Sequence, residues 1–409
     1  MFINALKKQN PKLIEVARRL WQQGTILPDT YIIDVDQVLN NGRKLLKTAN
    51  QHDIELYLMT KQFGRNPWLT KKLIELGYRG VVAVDFKEAY SLSQHDIPLC
   101  HIGHLVQTPT HLIETLLKRN PDIITVFSRE KAQTISDTAE KLGRVQPIML
   151  KVFDKRDIVF PCQEAGITFD ELESVVDAVK QMPGVKLSGL THFPCLSWDS
   201  RYQTTLPTAN LLTLIRARNR LEQLGVKLSQ INAPSASSCN TIPLLAKYGA
   251  THLEPGHALT GTIPANITGQ EPEHIAMAYV TEVSHHHDGN SYCYGGGYYK
   301  RGHMKHALVF SENVSPEISP LHPFPKTVPP KTAPPKTTRI LRLGDPCIDY
   351  HLPIAGTHPI GSPVIMCFRS QVFVTRSDVA LVSGIQSGSP KLEGIYDSQG
   401  NWKNNGYTQ

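Results

Sequence analysis

Several features are missing from these 409 residues, and each absence removes a class of protein. Nowhere do about 18 apolar residues run together, the length a membrane-spanning helix requires. No membrane span is therefore predicted. The opening residues, Met1-Phe2-Ile3-Asn4-Ala5-Leu6-Lys7-Lys8, lack the apolar core of a secretory signal. The 7 cysteines are scattered, odd in number and without CxxC spacing. That suits a reducing cytosol better than a disulfide framework, so a cytoplasmic location is expected. The net charge of +7 is spread along the chain, with no concentrated basic footprint for nucleic acid. Such a mild excess suits anionic small molecules. No G-x-G-x-x-G follows the first strand, which argues against a dinucleotide fold.

What is present is an alternation. Pro11 to Gln23 reads as an amphipathic helix and Thr30 to Asp34 as a strand. Short apolar runs then recur at 55–59, 80–84, 97–102, 123–127, 146–152, 186–190, 230–232 and 251–254. Helical patterns lie between them, at 68–76, 87–93, 109–118, 129–142, 169–181, 207–224 and 240–247. This pattern predicts an α/β fold, a (β/α)8 TIM-type barrel, with an open doubly wound sheet as the rival. After about Gly269 the helices stop. Runs at 275–283, 304–310, 340–343, 364–367 and 371–375 predict a C-terminal all-β domain. The expected organisation is an N-terminal helical extension (1–28), a barrel (29–269) and a β domain (270–409). A Pro-rich stretch at 315–335 interrupts the last and is read as an exposed polyproline II loop. The tail from Ser387 is expected to be peripheral.

Barrel enzymes build their sites at the C-terminal ends of the strands. Lys61 follows the first predicted strand. Desolvation there favours the neutral amine, a nucleophile that forms Schiff bases. Lys151 ends the fifth strand, and Thr191-His192-Phe193 follows the sixth. Pro234-Ser235-Ala236-Ser237-Ser238 and Glu254-Pro255-Gly256-His257 follow the seventh and eighth. Hydroxyls and a helix start in those two segments suit a phosphate dianion. His285-His286-His287-Asp288 reads as a solvated turn, and no metal site is expected.

With these residues in view, the chain resembles the alanine racemase-like, fold-type III pyridoxal-phosphate enzymes. Within them it is most similar to the ornithine racemase-like and YhfX-like branch, through Met59-Thr60-Lys61-Gln62-Phe63. The resemblance spans about 30–349. It implies pyridoxal 5'-phosphate as cofactor, with Lys61 as the Schiff-base lysine and one of two racemisation bases. Gly189-Leu190-Thr191-His192-Phe193 resembles the family's Gly-x-x-Thr-His-Phe, whose histidine stacks under the cofactor ring. Ser235 resembles the phosphate-binding serine, and Gly256 and His257 the phosphate-binding amides. Tyr294, in Ser291-Tyr292-Cys293-Tyr294-Gly295, resembles the second base, with Tyr292, Tyr298 and Tyr299 as competitors. In the family that tyrosine enters the neighbouring subunit's site, which implies a homodimer. Cys347-Ile348-Asp349 resembles the family's Cys-Met-Asp beside the substrate, and Lys151 a substrate-side lysine.

Two departures shape the expected chemistry. Alanine racemases place arginine against the pyridine nitrogen and tyrosine four residues after the lysine; this chain has Glu254 and Arg65. The family's Lys-x-Asp-Thr-Gly-Met-Gly-Arg becomes Lys151-Val152-Phe153-Asp154-Lys155-Arg156-Asp157, which argues against alanine as substrate. The expectation is an amino-acid racemase using Lys61 and Tyr294 as opposed bases. A carboxylate at the ring nitrogen would also serve an eliminase, aldolase or decarboxylase. A non-catalytic cofactor carrier and a sugar-phosphate barrel are the remaining alternatives.

Overall fold

The computed structural model describes residues 1–311, 334–344 and 348–407. Most of the Pro-rich stretch, and Cys347, lie outside the described residues. The chain divides into two compact units. One comprises Arg43–Thr60 and Pro67–Gly256; the other comprises Met1–Gly42, Lys61–Asn66 and His257–Gln409.

The first unit is the barrel. Its strands pair parallel in the order Glu55–Leu56, His252–Leu253, Gln230–Asn232, Val185–Thr191, Gln146–Phe153, Ile123–Val126, Leu99–Ile102, Val81–Val82 and Leu58–Met59. The two ends of that path are halves of one strand, divided at Tyr57. Tyr57 N–H donates to Leu253 O (3.0 Å) and Leu58 N–H to Gly80 O (2.9 Å), so one short strand meets both edges. Each predicted run contains a barrel strand, because both faces of such strands are buried and the sequence reads as continuous apolar blocks. The helices between them are also where the apolar period placed them, from Pro67–Ile74 to Ile242–Lys247. Asp85, Ser128 and Thr208 cap three of these helices through their side chains.

The second unit is a ten-stranded sheet. Its main path runs Lys336–Arg339, His306–Val309, Pro363–Met366, Met277–His287, Thr30–Asp34, Asp378–Ser383, Lys391–Tyr396 and Trp402–Asn404. Thr30–Asp34, which the boundary at residue 29 assigned to the barrel, is a central strand here. It pairs antiparallel with Met277–His287 and parallel with Asp378–Ser383. The chain thus enters the β domain before it enters the barrel. Further readings are corrected. Val372–Val374 is a single 3-10 turn rather than a strand. Asp378–Ser383, which carried no prediction, is a strand. The tail supplies two sheet strands. His285–His287 complete a long strand, and the turn is confined to Asp288 and Gly289, both at positive φ.

The N-terminal helices belong to this sheet. Asn10 caps Pro11–Gln22, its Oδ1 accepting from Leu13 N–H (3.2 Å), and its Nδ2 donates to Asp34 Oδ2 (2.9 Å). Leu13, Val16 and Leu20 bury one face with Ile32, Ala278, Val280 and Ile365. Each such burial contributes about 1.5–3 kcal/mol.

Candidate functional site

In the barrel unit the strand ends carry two linked polar clusters. The first surrounds Glu254, directly after His252–Leu253. Its side chain is wholly buried. Oε1 accepts from His101 Nδ1 (2.6 Å) and from Asn232 Nδ2 (2.7 Å). His101 Nε2 meets Thr125 Oγ1 (2.5 Å), and His104 Nε2 lies 3.7 Å from Oε2. Burial alone would push this carboxyl up. The charges of His104 and His101, with the hydrogen bonds from His101 and Asn232, prevail and bring it down to about 2. Oε2 is buried and accepts no hydrogen bond. Glu254 is thus a carboxylate fixed on one oxygen and open on the other.

His101, His104 and Glu254 also place metal-ligating atoms within 4.8 Å of one another. A tetrahedral zinc sets roughly 3.3 Å between donors at its usual bond lengths, whereas His101 Nδ1 and Glu254 Oε1 are 2.6 Å apart and His104 Nε2 and Glu254 Oε2 3.7 Å, so the donors would have to rearrange. His101 Nδ1 is already directed at Glu254.

The second cluster surrounds His192. Its Nε2 meets Asp157 Oδ2 (2.7 Å) and its Nδ1 accepts from Phe193 N–H (2.9 Å). That leaves Nε2 as the protonated nitrogen, with both nitrogens engaged. Burial lowers the pKa of His192, against the opposing hydrogen bond and charge of Asp157. A ring held this way is suited to stacking and poorly placed to exchange protons. Asp157 is itself fixed by Thr213 Oγ1 (2.8 Å) and Asp154 N–H (2.6 Å). Lys151 lines the same small cleft as His192, with Phe160, Gln163 and Phe193. Its Nζ donates to Gln163 O (3.3 Å) and lies 5.1 Å from the Phe127 ring centroid. Burial lowers the Lys151 amine to about 8. Edge-on ring contacts from His101 to His104 (5.2 Å) and from His104 to Phe193 (6.0 Å) connect the two clusters.

The loop after Gln230–Asn232 changes one expectation. The Ser235 hydroxyl donates to Leu196 O (2.7 Å) and accepts from Leu196 N–H (3.0 Å). Its hydrogen is committed to the loop and not free for a phosphate. Those bonds hold Ser235 at φ 110°, a conformation costing about 1–3 kcal/mol. Ser237, two residues on, has a buried hydroxyl with no partner. Thr191 Oγ1 is in the same state. Buried, unsatisfied oxygens of Thr191, Asn232, Ser237 and Glu254 therefore lie at or just beyond the ends of the last three strands. Buried polar atoms are normally paired, and these hydroxyls and acceptors match a phosphorylated, protonatable heterocycle.

The sheet unit carries the other predicted residues. Lys61 opens a one-turn segment, Lys61–Phe63, immediately after the first barrel strand. Its charge and that of Arg369 act on His257, which burial has already pushed well below the ordinary histidine range. Tyr294 ends the strand Asn290–Tyr294 and is 45 % exposed. Asp349 is not open to a substrate. Its Oδ2 accepts from Gly296 N–H (3.0 Å) and Tyr298 N–H (2.9 Å), and its Oδ1 pairs with Arg376 (3.2 Å). It pins the loop following Tyr294.

Asp29 supports that loop from the other side. Tyr279 donates to it (2.8 Å), as does the Ser377 hydroxyl. Gly296 sits at φ 134°, and a Cβ there would lie 1.8 Å from Asp29 Oδ2, so glycine is required. Burial, the leading cause, raises Asp29 to about 7, with Asp349 adding to it and Ser377, Tyr279 and Arg376 opposing. A carboxyl raised in the folded state binds its proton there more tightly than in the unfolded chain. Its contribution is complete below pH 4 and is lost as pH rises through 7. Between pH 4 and 8 the sheet unit should lose roughly 2–4 kcal/mol from this group. Asp29→Asn should flatten that slope in melts at pH 5 and pH 8; an unchanged slope would place its source elsewhere.

Residues 33–264 match the alanine racemase N-terminal domain, more than half of the chain. The chain belongs to that family. Residues 278–324 and 325–392 match the YhfX-like C-terminal domain. "Uncharacterized protein YhfX" of Escherichia coli (strain K12) is 53% identical over 401 residues, covering 98% of this chain and 99% of that one. Solved structures share the alanine racemase fold at low identity. D-threonine aldolase from Filomicrobium marinum has a TM-score of 0.63 at 14% identity, over 91% of this chain and 95% of its own. Alanine racemase of Clostridium difficile 630 gives 0.60 at 15%, over 91% and 99%. D-threo-3-hydroxyaspartate dehydratase from Delftia sp. HT23 gives 0.63 at 14%, over 93% and 98%. One alanine racemase-type scaffold thus carries racemase, aldolase and dehydratase names.

His101, His104, Asn232 and Arg369 of this family member escaped the motif reading, while Ser237 and Asp157 were named only within longer segments. His101-Ile102-Gly103-His104 stands at the end of the third strand, a position that warranted notice.

Proposed function

We propose that the chain is a pyridoxal-phosphate enzyme acting at the Cα of a free amino acid, with racemisation as its reaction. The observation that carries the cofactor reading is Glu254, an ionised buried carboxylate with one oxygen unsatisfied. It would accept a hydrogen bond from the protonated ring nitrogen. Lys61 would hold the aldehyde carbon, His192 would lie against the ring, and Ser237 with the amides of Gly256 and His257 would hold the phosphate. When bound, the cofactor delocalises the charge left at Cα once its proton is removed. Lys61 takes or returns that proton on one face, and Tyr294 of a partner subunit does so on the other. His192, locked by Asp157 and Phe193, keeps its proton and orients the ring. The half-exposed Tyr294 ring supports a homodimer in which it reaches another copy.

A second reading, a lyase of the same fold, is favoured by Glu254. A carboxylate at the ring nitrogen supports the stronger electron withdrawal that β-elimination and aldol cleavage require. One experiment separates these readings. Purified protein is incubated with single amino acids in heavy water, and each product is analysed for Cα deuterium, optical rotation, keto acid and glycine. Racemisation predicts Cα deuterium with loss of rotation. Keto acid with ammonia would replace it by elimination, and glycine with an aldehyde by aldol cleavage. Tyr294→Phe should slow exchange from one enantiomer at least about 100-fold and spare the other. Equal, mild slowing of both would remove Tyr294 from the role.

A further inference from the structure

Among the described residues, one enclosed cation of the sheet unit has no carboxylate partner. Arg369 lies just beyond Pro363–Met366 and is largely enclosed. Its backbone N–H donates to Gly302 O (3.1 Å), and its Nε–H donates to His257 Nε2 (3.0 Å). Among the described residues, no carboxylate pairs with Arg369, and none accepts from Nη1 or Nη2. Burial lowers its pKa, but a guanidinium remains charged in proteins. His257 cannot balance it. Its Nε2 accepts from Arg369, its Nδ1 faces Thr262 Oγ1 (3.2 Å), and the ring stays neutral. Gln371 Nε2, a further neutral donor, lies 3.4 Å from the same nitrogen. Lys61 adds a second positive charge around His257, and Arg301 a third around Arg369. Arg65, the other arginine close to Lys61 in sequence, is engaged elsewhere. It donates to Gln399 Oε1 (2.9 Å) and lies over the Phe373 ring.

A planar fork with both terminal nitrogens open is the geometry that grips a phosphate or a carboxylate. We propose that Arg369 binds the phosphate monoester of the cofactor, held in place by His257. This rests on the pyridoxal-phosphate reading above. Phosphate is favoured over a substrate carboxylate for two reasons. Arg369 is an enclosed guanidinium with no carboxylate beside it among the described residues, and a phosphate dianion compensates such a charge more strongly than a single carboxylate. The residue that holds Arg369 also directly follows Gly256 in the segment read as a phosphate cup.

The test titrates the full-length apoprotein, parent and Arg369→Gln, with pyridoxal phosphate and with pyridoxal, which has no phosphate. Binding is read from the absorbance of the lysine adduct. The variant should bind pyridoxal phosphate about 10–100-fold more weakly and bind pyridoxal within about twofold of the parent. Inorganic phosphate should compete against pyridoxal phosphate in the parent and less in the variant. Arg369→Lys, which keeps the charge, should recover part of the loss and guards against misfolding of the glutamine variant. Equal weakening of both aldehydes, or of neither, overturns the inference. So does an unchanged phosphate preference with a raised KM for the amino acid, which would assign Arg369 to a substrate carboxylate. A parent that binds neither aldehyde overturns the cofactor reading, and this inference with it.

Discussion

Lys61→Ala should bind pyridoxal phosphate without a covalent link, and borohydride should fix no cofactor to it. Two functions are lost together, since the same amine anchors the aldehyde and exchanges the Cα proton. Deuterium exchange at Cα should fall at least about 10⁴-fold, the upper range for removing a general acid–base group. The experiment has a real competitor. Lys151 is buried, and its amine is brought down to about 8, so a neutral fraction exists near physiological pH. Peptide mapping of the reduced parent protein decides between them. A label on Lys151, or a label that survives in Lys61→Ala, would move the chemistry to the cleft around His192.

Glu254→Gln should lower turnover about 10²–10³-fold, the usual loss when a charged partner is removed from developing charge. The amide keeps the shape and can still accept from His101 and Asn232, so the fold should survive. It cannot hold a proton on a ring nitrogen. The absorbance of the bound cofactor should therefore become more sensitive to pH. Glu254→Arg, the residue found at this position in alanine racemases, should be worse. It places a guanidinium beside His101 and His104 and removes the carboxylate that both face. A buried charge without its partner costs about 3–5 kcal/mol. Turnover of Glu254→Gln within fivefold of the parent, with an unaltered spectrum, would sink this role.

The two halves of the molecule were not equally legible. Barrel strands and helices alternate locally, and each announces itself in a window of about ten residues. The sheet is assembled from distant segments. Thr30–Asp34 finds its partners at 277–280 and 378–382, and nothing near it in sequence reveals either. Gln371–Thr375 shows the converse, an apolar run read as a strand that forms one turn because no ladder receives it. The candidate site divides the same way. Lys61, His192 and Glu254 were legible as candidates because strand ends are where barrel chemistry sits. His101 was missed because its role depends on Glu254, 153 residues away. Asp349 and Ser235 were assigned by resemblance, yet each side chain is occupied by another segment, Asp349 by Gly296, Tyr298 and Arg376 and Ser235 by Leu196. A motif names a residue type at a position, while hydrogen-bond partners decide whether that residue remains available.

The central place of Thr30–Asp34 has a consequence for how the protein is made. During synthesis this strand emerges early, and one neighbour, Asp378–Ser383, emerges almost last. The barrel's strands are all contained between residues 55 and 253, so it has every partner it needs while the ribosome is still adding the C-terminal third. The sheet cannot close until the chain is nearly complete, and long loop closures of this kind are slow. Until then the edge of Thr30–Asp34 that pairs with Asp378–Ser383 lacks its cover, and before Met277–His287 is made both edges and the apolar face of Pro11–Gln22 do. Nascent chains arrested before residue 378 should therefore carry a protease-resistant barrel and a protease-sensitive first 40 residues.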